Sequence, residues 1–220
     1  MISVAIDGPS GAGKSTLAKR LAKELGYLYV DTGAMYRSIG LFALRQGVDP
    51  KDEAAVTALL PQIQIELRYV NGAQRVLLCG EDVSEAIRAE EVGMATSAVS
   101  PHPPVRAFLL ELQRGMARTH DILMDGRDIG TVILPNTSVK IFLTASAEAR
   151  ATRRFRELQE KGVDTDFETV LEDIRRRDYQ DSHRATAPLR QAEDAVLVDT
   201  SEMDLEESFQ ALKSLILSRV

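Results

Sequence analysis

Apolar positions along this chain follow two rhythms, one of short runs and one of helical stripes. Ile2-Ser3-Val4-Ala5-Ile6 is a short run ended by Asp7 and predicts a buried strand. Leu17, Leu21 and Leu25, with Ala18 and Ala22, recur at helical spacing and predict a helix from Lys14 to Leu25, stopped by Gly26. Tyr27-Leu28-Tyr29-Val30 predicts a second strand ending at Asp31. A second helix is expected from about Ala34 to Gln46, closed by Gly47. This β-loop-α-β-α order implies a parallel sheet with helices on its faces.

Pro61 to Gly80 breaks that rhythm. Ile63, Ile65, Leu67 and Tyr69 alternate with polar residues, Asn71-Gly72 is a hairpin turn signal, and Arg75 to Cys79 supplies a returning strand. Two strands with no helix between them are antiparallel, so this segment reads as a small inserted subdomain. Asp82-Val83-Ser84-Glu85 can form a capping box that opens the next helix. Pro103 and Pro104 suit another helix start, with Val105, Phe108, Leu109 and Leu112 as its buried stripe. Strands follow at Ile122-Leu123-Met124, Val139 to Leu143 and Ala195 to Val198. Helices are expected from about Ala147 to a break at Lys161-Gly162, from near Asp166, and from Leu205 to Leu217. The fold class is therefore α/β, a doubly wound, parallel five-stranded sheet with a small antiparallel β insertion. Ligands of such sheets bind at the carboxyl ends of the strands, an edge that would carry Gly8, Asp31, Asp125 and Thr144.

Composition narrows the function classes. The 220 residues can bury the core of one domain with a modest insertion, and the net charge of −6 argues against nucleic acid or an acidic membrane as a partner. Cys79 is the single cysteine, which excludes an intrachain disulfide and fits a reducing compartment; a buried strand position is expected for it. No segment is apolar enough to span a membrane and no basic n-region opens the chain, so a cytoplasmic protein is expected. His102, His120 and His183 lack metal-ligand spacing, and no Gly-x-Ser-x-Gly nucleophile elbow is present. Neither Asn71 nor Asn136 precedes a lysine, which removes the Asn-Lys-x-Asp guanine motif of a GTPase switch.

The chemistry is densest at Gly8-Pro9-Ser10-Gly11-Ala12-Gly13-Lys14-Ser15, followed by Thr16. A strand, a glycine loop and a helix in this order form the G-x-x-x-x-G-K-[ST] phosphate-binding loop. Backbone N–H groups and the helix N-terminus face the anion, Lys14 can reach the β- and γ-phosphates, and the Ser15 hydroxyl can hold magnesium. A nucleoside triphosphate is the implied ligand.

Three further clusters are less specific alone. Asp31-Thr32-Gly33-Ala34-Met35-Tyr36-Arg37 places a carboxylate, a hydroxyl, a ring and a guanidinium within two helical turns, or is simply an N-capped helix. Asp125-Gly126-Arg127-Asp128 leaves a core strand, where Asp125 suits a Walker-B-like role near magnesium and Arg127 suits a phosphate; a turn held by a local Asp–Arg pair is the alternative. Arg150, Arg153, Arg154, Arg156, Arg175, Arg176, Arg177, Arg184 and Arg190 crowd one stretch, part of it explained by a solvated helix face. In a helix Arg177, Asp181 and Arg184 would share one face. Arg37, Arg127 and Arg184 exceed what one triphosphate needs, which points to a second phosphate-bearing substrate and to phosphoryl transfer between nucleotides. A kinase for another small metabolite or for UMP, and a nucleotide-sensing module without turnover, are the rival readings.

Together these motifs, with Gly80-Glu81-Asp82-Val83, Asp125 to Gly130 and Arg177-Asp178-x-x-Asp181-x-x-Arg184, resemble the bacterial cytidylate kinases over nearly the whole chain. The resemblance implies one P-loop kinase domain over 1–220, with a subdomain for the nucleoside monophosphate at 37–100 that carries the insertion at about 61–80, and a short lid at 150–165. It implies transfer from ATP to CMP or dCMP with Mg²⁺. Arg37, Arg127 and Arg184 would grip the acceptor phosphate, Arg177 and Asp181 the ribose, and Ser97, Arg106 and Asp128 the base. Thr32, Tyr36 and Asp125 complete the expected substrate site. Lys14, magnesium and arginines of the Arg150–Arg156 helix, Arg153 among them, would offset charge on the transferring group, with Arg127 and Arg184 also counted as catalytic. The acceptor phosphate has a second pKa of about 6, so transfer needs no general base and no phosphoenzyme. A monomer is expected, since no apolar stripe is left over.

Overall fold

The opening apolar run becomes β1 (Ser3–Asp7), the middle strand of a five-stranded sheet. The structure, a computed structural model, describes all residues except 71 and 72, and at 69, 70 and 73 the backbone alone. The other strands of this sheet are β2 (Leu28–Asp31), β6 (Ile122–Gly126), β7 (Val139–Thr144) and β8 (Val196–Asp199), in the order β2-β6-β1-β7-β8. β1 pairs in parallel with β6 on one side and β7 on the other, so the strand order reverses at its carboxyl end. That reversal point is where an open α/β sheet leaves a crevice for ligands.

The chain forms two compact units, one from Met1–Tyr29 and Thr119–Val220, the other from Val30–Arg118. In the first, α1 (Lys14–Leu25) and α8 (Leu205–Leu217) cover the sheet: Leu17, Leu21, Phe209, Leu212 and Ile216 form one core with Val4, Ile6, Leu123, Ile141 and Leu143. Asp204 opens α8 with a capping box to Glu207. α6 (Ala147–Glu160) and α7 (Phe167–His183) make a smaller cluster from Ala151, Val170, Leu171 and Ile174. Phe155 meets Phe167 edge to face there, with ring centroids 6.2 Å apart.

The second unit holds α2 (Thr32–Arg45), α3 (Glu53–Leu59), an antiparallel sheet of β3 (Ile65–Val70), β4 (Ala73–Leu78) and β5 (Glu81–Asp82), then α4 (Glu90–Val99) and α5 (Pro103–Thr119). Gly40 makes the close approach of α2 to α4 possible, because a Cβ there would lie 3.1 Å from the Thr96 backbone nitrogen. The Asn71-Gly72 turn lies outside the described residues.

Three local expectations are corrected. Cys79 is exposed, with φ of 50°, because β5 turns back on β4 and pairs Leu78 with Glu81. A two-residue connection of that kind takes positive φ at both positions, and Gly80 follows at 86°. The Asp82–Glu85 segment forms no capping box: Asp82 belongs to β5, its carboxylate accepts from the Ser84 backbone and hydroxyl and from Arg75, and only a short 3-10 helix, Ala86–Arg88, follows without a side-chain cap. α5 buries Val105, Leu109 and Gln113, while Phe108 and Leu112 are half-buried; a spacing of four residues selects Gln113, whose amide donates to Met35 Sδ at 3.9 Å. Among the described residues no helix is long and apolar enough to cross a membrane.

Candidate active site

The loop between β1 and α1 is shaped by its glycines and by what lies behind them. Gly8 has φ of 152°, and a Cβ on it would stand 1.9 Å from the Leu143 carbonyl oxygen on β7, so no side chain fits. Gly11 and Gly13 are left-handed at 76° and 85°, and Gly13 caps α1. The turn leaves the first N–H groups of α1 without helical partners, which is the arrangement an anion needs. Lys14 is buried and donates from Nζ to the Pro9 carbonyl at 2.6 Å. Burial, and next the Arg127 charge, hold its pKa well below the usual lysine range. A bound polyphosphate would supply the counter-charge that Lys14 otherwise finds only in Asp125, Asp181 and Asp7.

Behind the loop, β6 ends at Asp125. Its Oδ2 accepts from the Ser15 hydroxyl at 2.8 Å and its Oδ1 from the Tyr29 hydroxyl at 2.8 Å. Serine and carboxylate oxygens side by side at a phosphate loop are the hard donors magnesium prefers, with phosphates and water completing its shell. Thr16 faces solvent one residue further.

Asp7, at the end of β1, accepts from the backbone N–H of Ile129 at 2.8 Å and of Gly130 at 2.7 Å. It thereby anchors a π-turn, Ile129–Ile133, directly after Arg127 and Asp128. Burial pushes its pKa up to about 6, against those two hydrogen bonds and the Lys14 charge. The folded chain thus holds this proton more tightly than the unfolded one, and the resulting stability is lost as pH rises from about 4 through 6. The melting temperature of the wild type is expected to fall relative to that of Asp7→Asn over that window. A difference constant with pH would remove Asp7 as its source.

The arginines divide into two groups. Arg127 donates from Nε to Asp181 Oδ2 at 2.7 Å, and Arg184 lies 3.6 Å from Asp128 Oδ1. Burial opposes ionisation of Asp181, but Arg127, Arg177 and Arg184 outweigh it and hold its carboxyl below the usual range. Arg184 is the C-cap of α7; its φ of −64° keeps its Cβ on the helical path, and its charge acts on Asp181 together with that of Arg177. Its Nε donates to the carbonyl of Ala187, a left-handed residue with φ of 47°. Arg153, expected at the triphosphate, donates to the Thr200 carbonyl at 2.6 Å. Arg150, three residues earlier, is the one that reaches the loop, at the Ser10 carbonyl.

In the second unit Asp31 caps α2 by accepting from Ala34 N–H at 2.9 Å, and it takes Arg88 Nη2 at 3.1 Å. Thr32 is buried as the first residue of α2. Arg37 folds back over Gly33, where a Cβ would stand 3.3 Å from its Nη1. The Arg106 guanidinium lies 5.8 Å from the centre of the Tyr36 ring and donates to the Ser100 carbonyl at 3.3 Å. Ser97 is exposed, its hydroxyl donating to Gly93 within α4.

A family model described as "Cytidylate kinase" matches residues 4–217. The chain belongs to the cytidylate kinase family. It is 49% identical over 214 residues to the cytidylate kinase of Caldicellulosiruptor bescii, covering 97% of this chain and 95% of that one. It is 50% identical over 215 residues to that of Enterococcus faecalis, with 98% and 95% covered. Among solved structures it is similar in fold to an uncharacterized protein from Eubacterium ventriosum, with a TM-score of 0.55 at 13% identity over 99% of each chain.

For this cytidylate kinase family member, sequence reading passed over Asp7, Tyr29, Arg88 and Asp178 as site residues. Asp7 ended an apolar run at the binding edge, which was signal enough to single it out. Tyr29 and Arg88 carried none, because their partners lie 96 and 57 residues away.

Proposed function

We propose that the protein transfers the γ-phosphoryl group of ATP to CMP or dCMP, giving ADP and CDP or dCDP. The observation that carries this reading is the presence, in one unit of a chain of this family, of a triphosphate loop and a second cationic cluster at Arg127 and Arg184.

In this reading the loop from Gly8 to Thr16 holds the triphosphate through its N–H groups, and Lys14 leaves Pro9 to meet the β- and γ-phosphates. Ser15 and Asp125 would hold Mg²⁺, which neutralises charge on the phosphate oxygens when bound. Arg37, Arg127 and Arg184 take the acceptor phosphate, a role for which a guanidinium's two parallel donors suit it better than an ammonium. Arg177 and Asp181 take the ribose, and Thr32 and Tyr36 line the acceptor's place.

Ser97, Arg106 and Asp128 read the base. Cytosine offers a donor amine at N4 and acceptors at N3 and O2, which match a carboxylate, a hydroxyl and a guanidinium. Uracil would set a carbonyl against the Asp128 carboxylate, acceptor against acceptor. The acceptor phosphate is already an oxyanion near neutrality, so the enzyme's work is positioning and charge compensation in an in-line transfer.

Residues 37–100 serve as the monophosphate-binding subdomain, and 150–165 as a short lid that excludes water. The single cysteine fits a reducing compartment, and the protein acts as a cytoplasmic monomer in this reading.

The test is ADP production from ATP and Mg²⁺ with CMP, dCMP, UMP, AMP and GMP offered separately. Turnover with CMP and dCMP far above the others is expected. Preference for another monophosphate would overturn the base assignment, and no turnover with any would overturn the reaction.

A further inference from the structure

Arg150, on α6 beside the phosphate loop, is held by the protein on several sides. Its Nε donates to the Ala145 carbonyl at 2.9 Å and its Nη1 to the Ser10 carbonyl at 3.0 Å. Nη1 and Nη2 also clasp Asp178, at 2.9 Å to Oδ1 and 2.6 Å to Oδ2. Four of the five guanidinium N–H groups are thus committed, and the side chain is only 5% exposed. Its stem lies against Gly11, where even a Cβ would come within 3.4 Å of the Arg150 Cβ. A phosphate loop that aims its N–H groups inward at an anion turns some carbonyls outward, and Arg150 meets the one at Ser10. Asp178 lies on α7 between Arg177 and Asp181, and Asp181 in turn accepts from Arg127. One continuous path of charge-assisted bonds therefore runs from the loop backbone through Arg150 and Asp178 into α7, the helix whose Asp181 anchors Arg127.

We propose that Arg150 and Asp178 are positioning residues that hold the phosphate loop and α7 in the mutual placement needed for transfer. This rests on the reading of the protein as a kinase acting between two nucleotides. The bidentate pair sets distance and orientation together, which a single point charge cannot do. Its contribution is therefore to the geometry of attack, where a displacement of about 1 Å costs about 10²-fold in rate. Arg150 itself has no free face for the transferring group, so its role differs from that of a charge-compensating arginine.

The test uses Arg150→Lys, Asp178→Asn and the double variant in the full chain. Lysine keeps the charge and one donor nitrogen but loses the two-nitrogen clasp on Asp178 and the Nε bond to Ala145, and asparagine keeps the shape while losing the second accepting oxygen. Thermal unfolding establishes that each is folded. ATP affinity is measured by calorimetry without acceptor, and kcat and KM are measured with CMP. Arg150→Lys is expected to bind ATP about tenfold more weakly, as fits the loss of one charge-assisted hydrogen bond. Each single variant is expected to lose about 10²-fold in kcat with KM for CMP unchanged, and the double variant no more than the worse single, because both changes remove one device. Unchanged kcat in the folded single variants would overturn the proposal, as would losses that multiply in the double variant or that only follow the folded fraction. A wild type inactive with CMP would overturn the kinase reading instead, and calorimetry would still report on the loop.

Discussion

Lys14→Met is expected to lower kcat/KM for ATP by about 10³-fold or more, with the fold intact and CMP affinity little changed. Methionine keeps the length and apolar stem of the side chain and removes its charge and donors. The ammonium is buried and its pKa is held well below the usual lysine range by burial and by Arg127, so no solvent compensates it. Asp125, Asp181 and Asp7 offset that loss only in part, and an anion at the loop supplies more. Phosphate binding raises its pKa, so ATP binding in the wild type takes up protons at pH values between the free and bound pKa values and weakens as pH rises through that window. Calorimetry in buffers of different ionisation enthalpy reads that uptake directly, and Lys14→Met should abolish it. Equal proton uptake in wild type and variant would assign the linkage to another group and leave Lys14 as packing.

Arg127→Ala is expected to lower kcat/KM for CMP by about 10³-fold while ATP affinity stays close to wild type. Arg127 is one-fifth exposed and already oriented, its Nε on Asp181 at 2.7 Å, so its outer nitrogens can turn to an incoming anion without loss of that anchor. Removing it takes away a cation near Lys14 that lowers the lysine's pKa, a change that does not weaken the triphosphate's hold. It also leaves Asp181 buried with less opposing charge, so the carboxyl's pKa rises and its hydrogen-bond acceptance fades toward lower pH. Arg127→Lys should recover part of the loss, since an ammonium restores charge but not the two parallel donors. Steady-state kinetics in both substrates separate the effects. An Arg127→Ala enzyme with a raised KM for ATP and normal CMP kinetics would place the arginine on the donor instead.

The parts of the protein legible in its sequence are those decided within a dozen residues. Gly8 to Ser15 announce a phosphate loop because the strand before it, the positive-φ glycines and the helix after it are neighbours in the chain. The parallel sheet is legible for the same reason, since a strand, a helix stripe and another strand leave one way to bury their apolar faces. Cys79 marks where this stops. Its run of apolar neighbours continues a strand, and only the pairing of Leu77 and Leu78 with the two-residue strand Glu81–Asp82 makes Cys79 a turn. The Asp82 carboxylate is spent in that corner for the same reason, on Ser84 and Arg75 rather than on a helix end.

Among the charged residues the division is sharper. Nothing in the residue types separates Arg150 from Arg153, since both lie on one arginine-rich helix. The packing of α6 against α7 turns Arg150 to the loop and to Asp178, and leaves Arg153 on Thr200. Asp125 could be placed at a strand end by its position, but its 2.8 Å contact with Ser15, 110 residues away, is a property of the assembled sheet. By itself, then, the sequence determined the backbone program: the phosphate loop, the strands and helices, the α/β class and the stock of arginines. Tertiary structure alone decided which of those charges meet. Local backbone preferences act between neighbours, whereas a charged side chain is assigned its partner only when burial makes leaving it unpaired too costly.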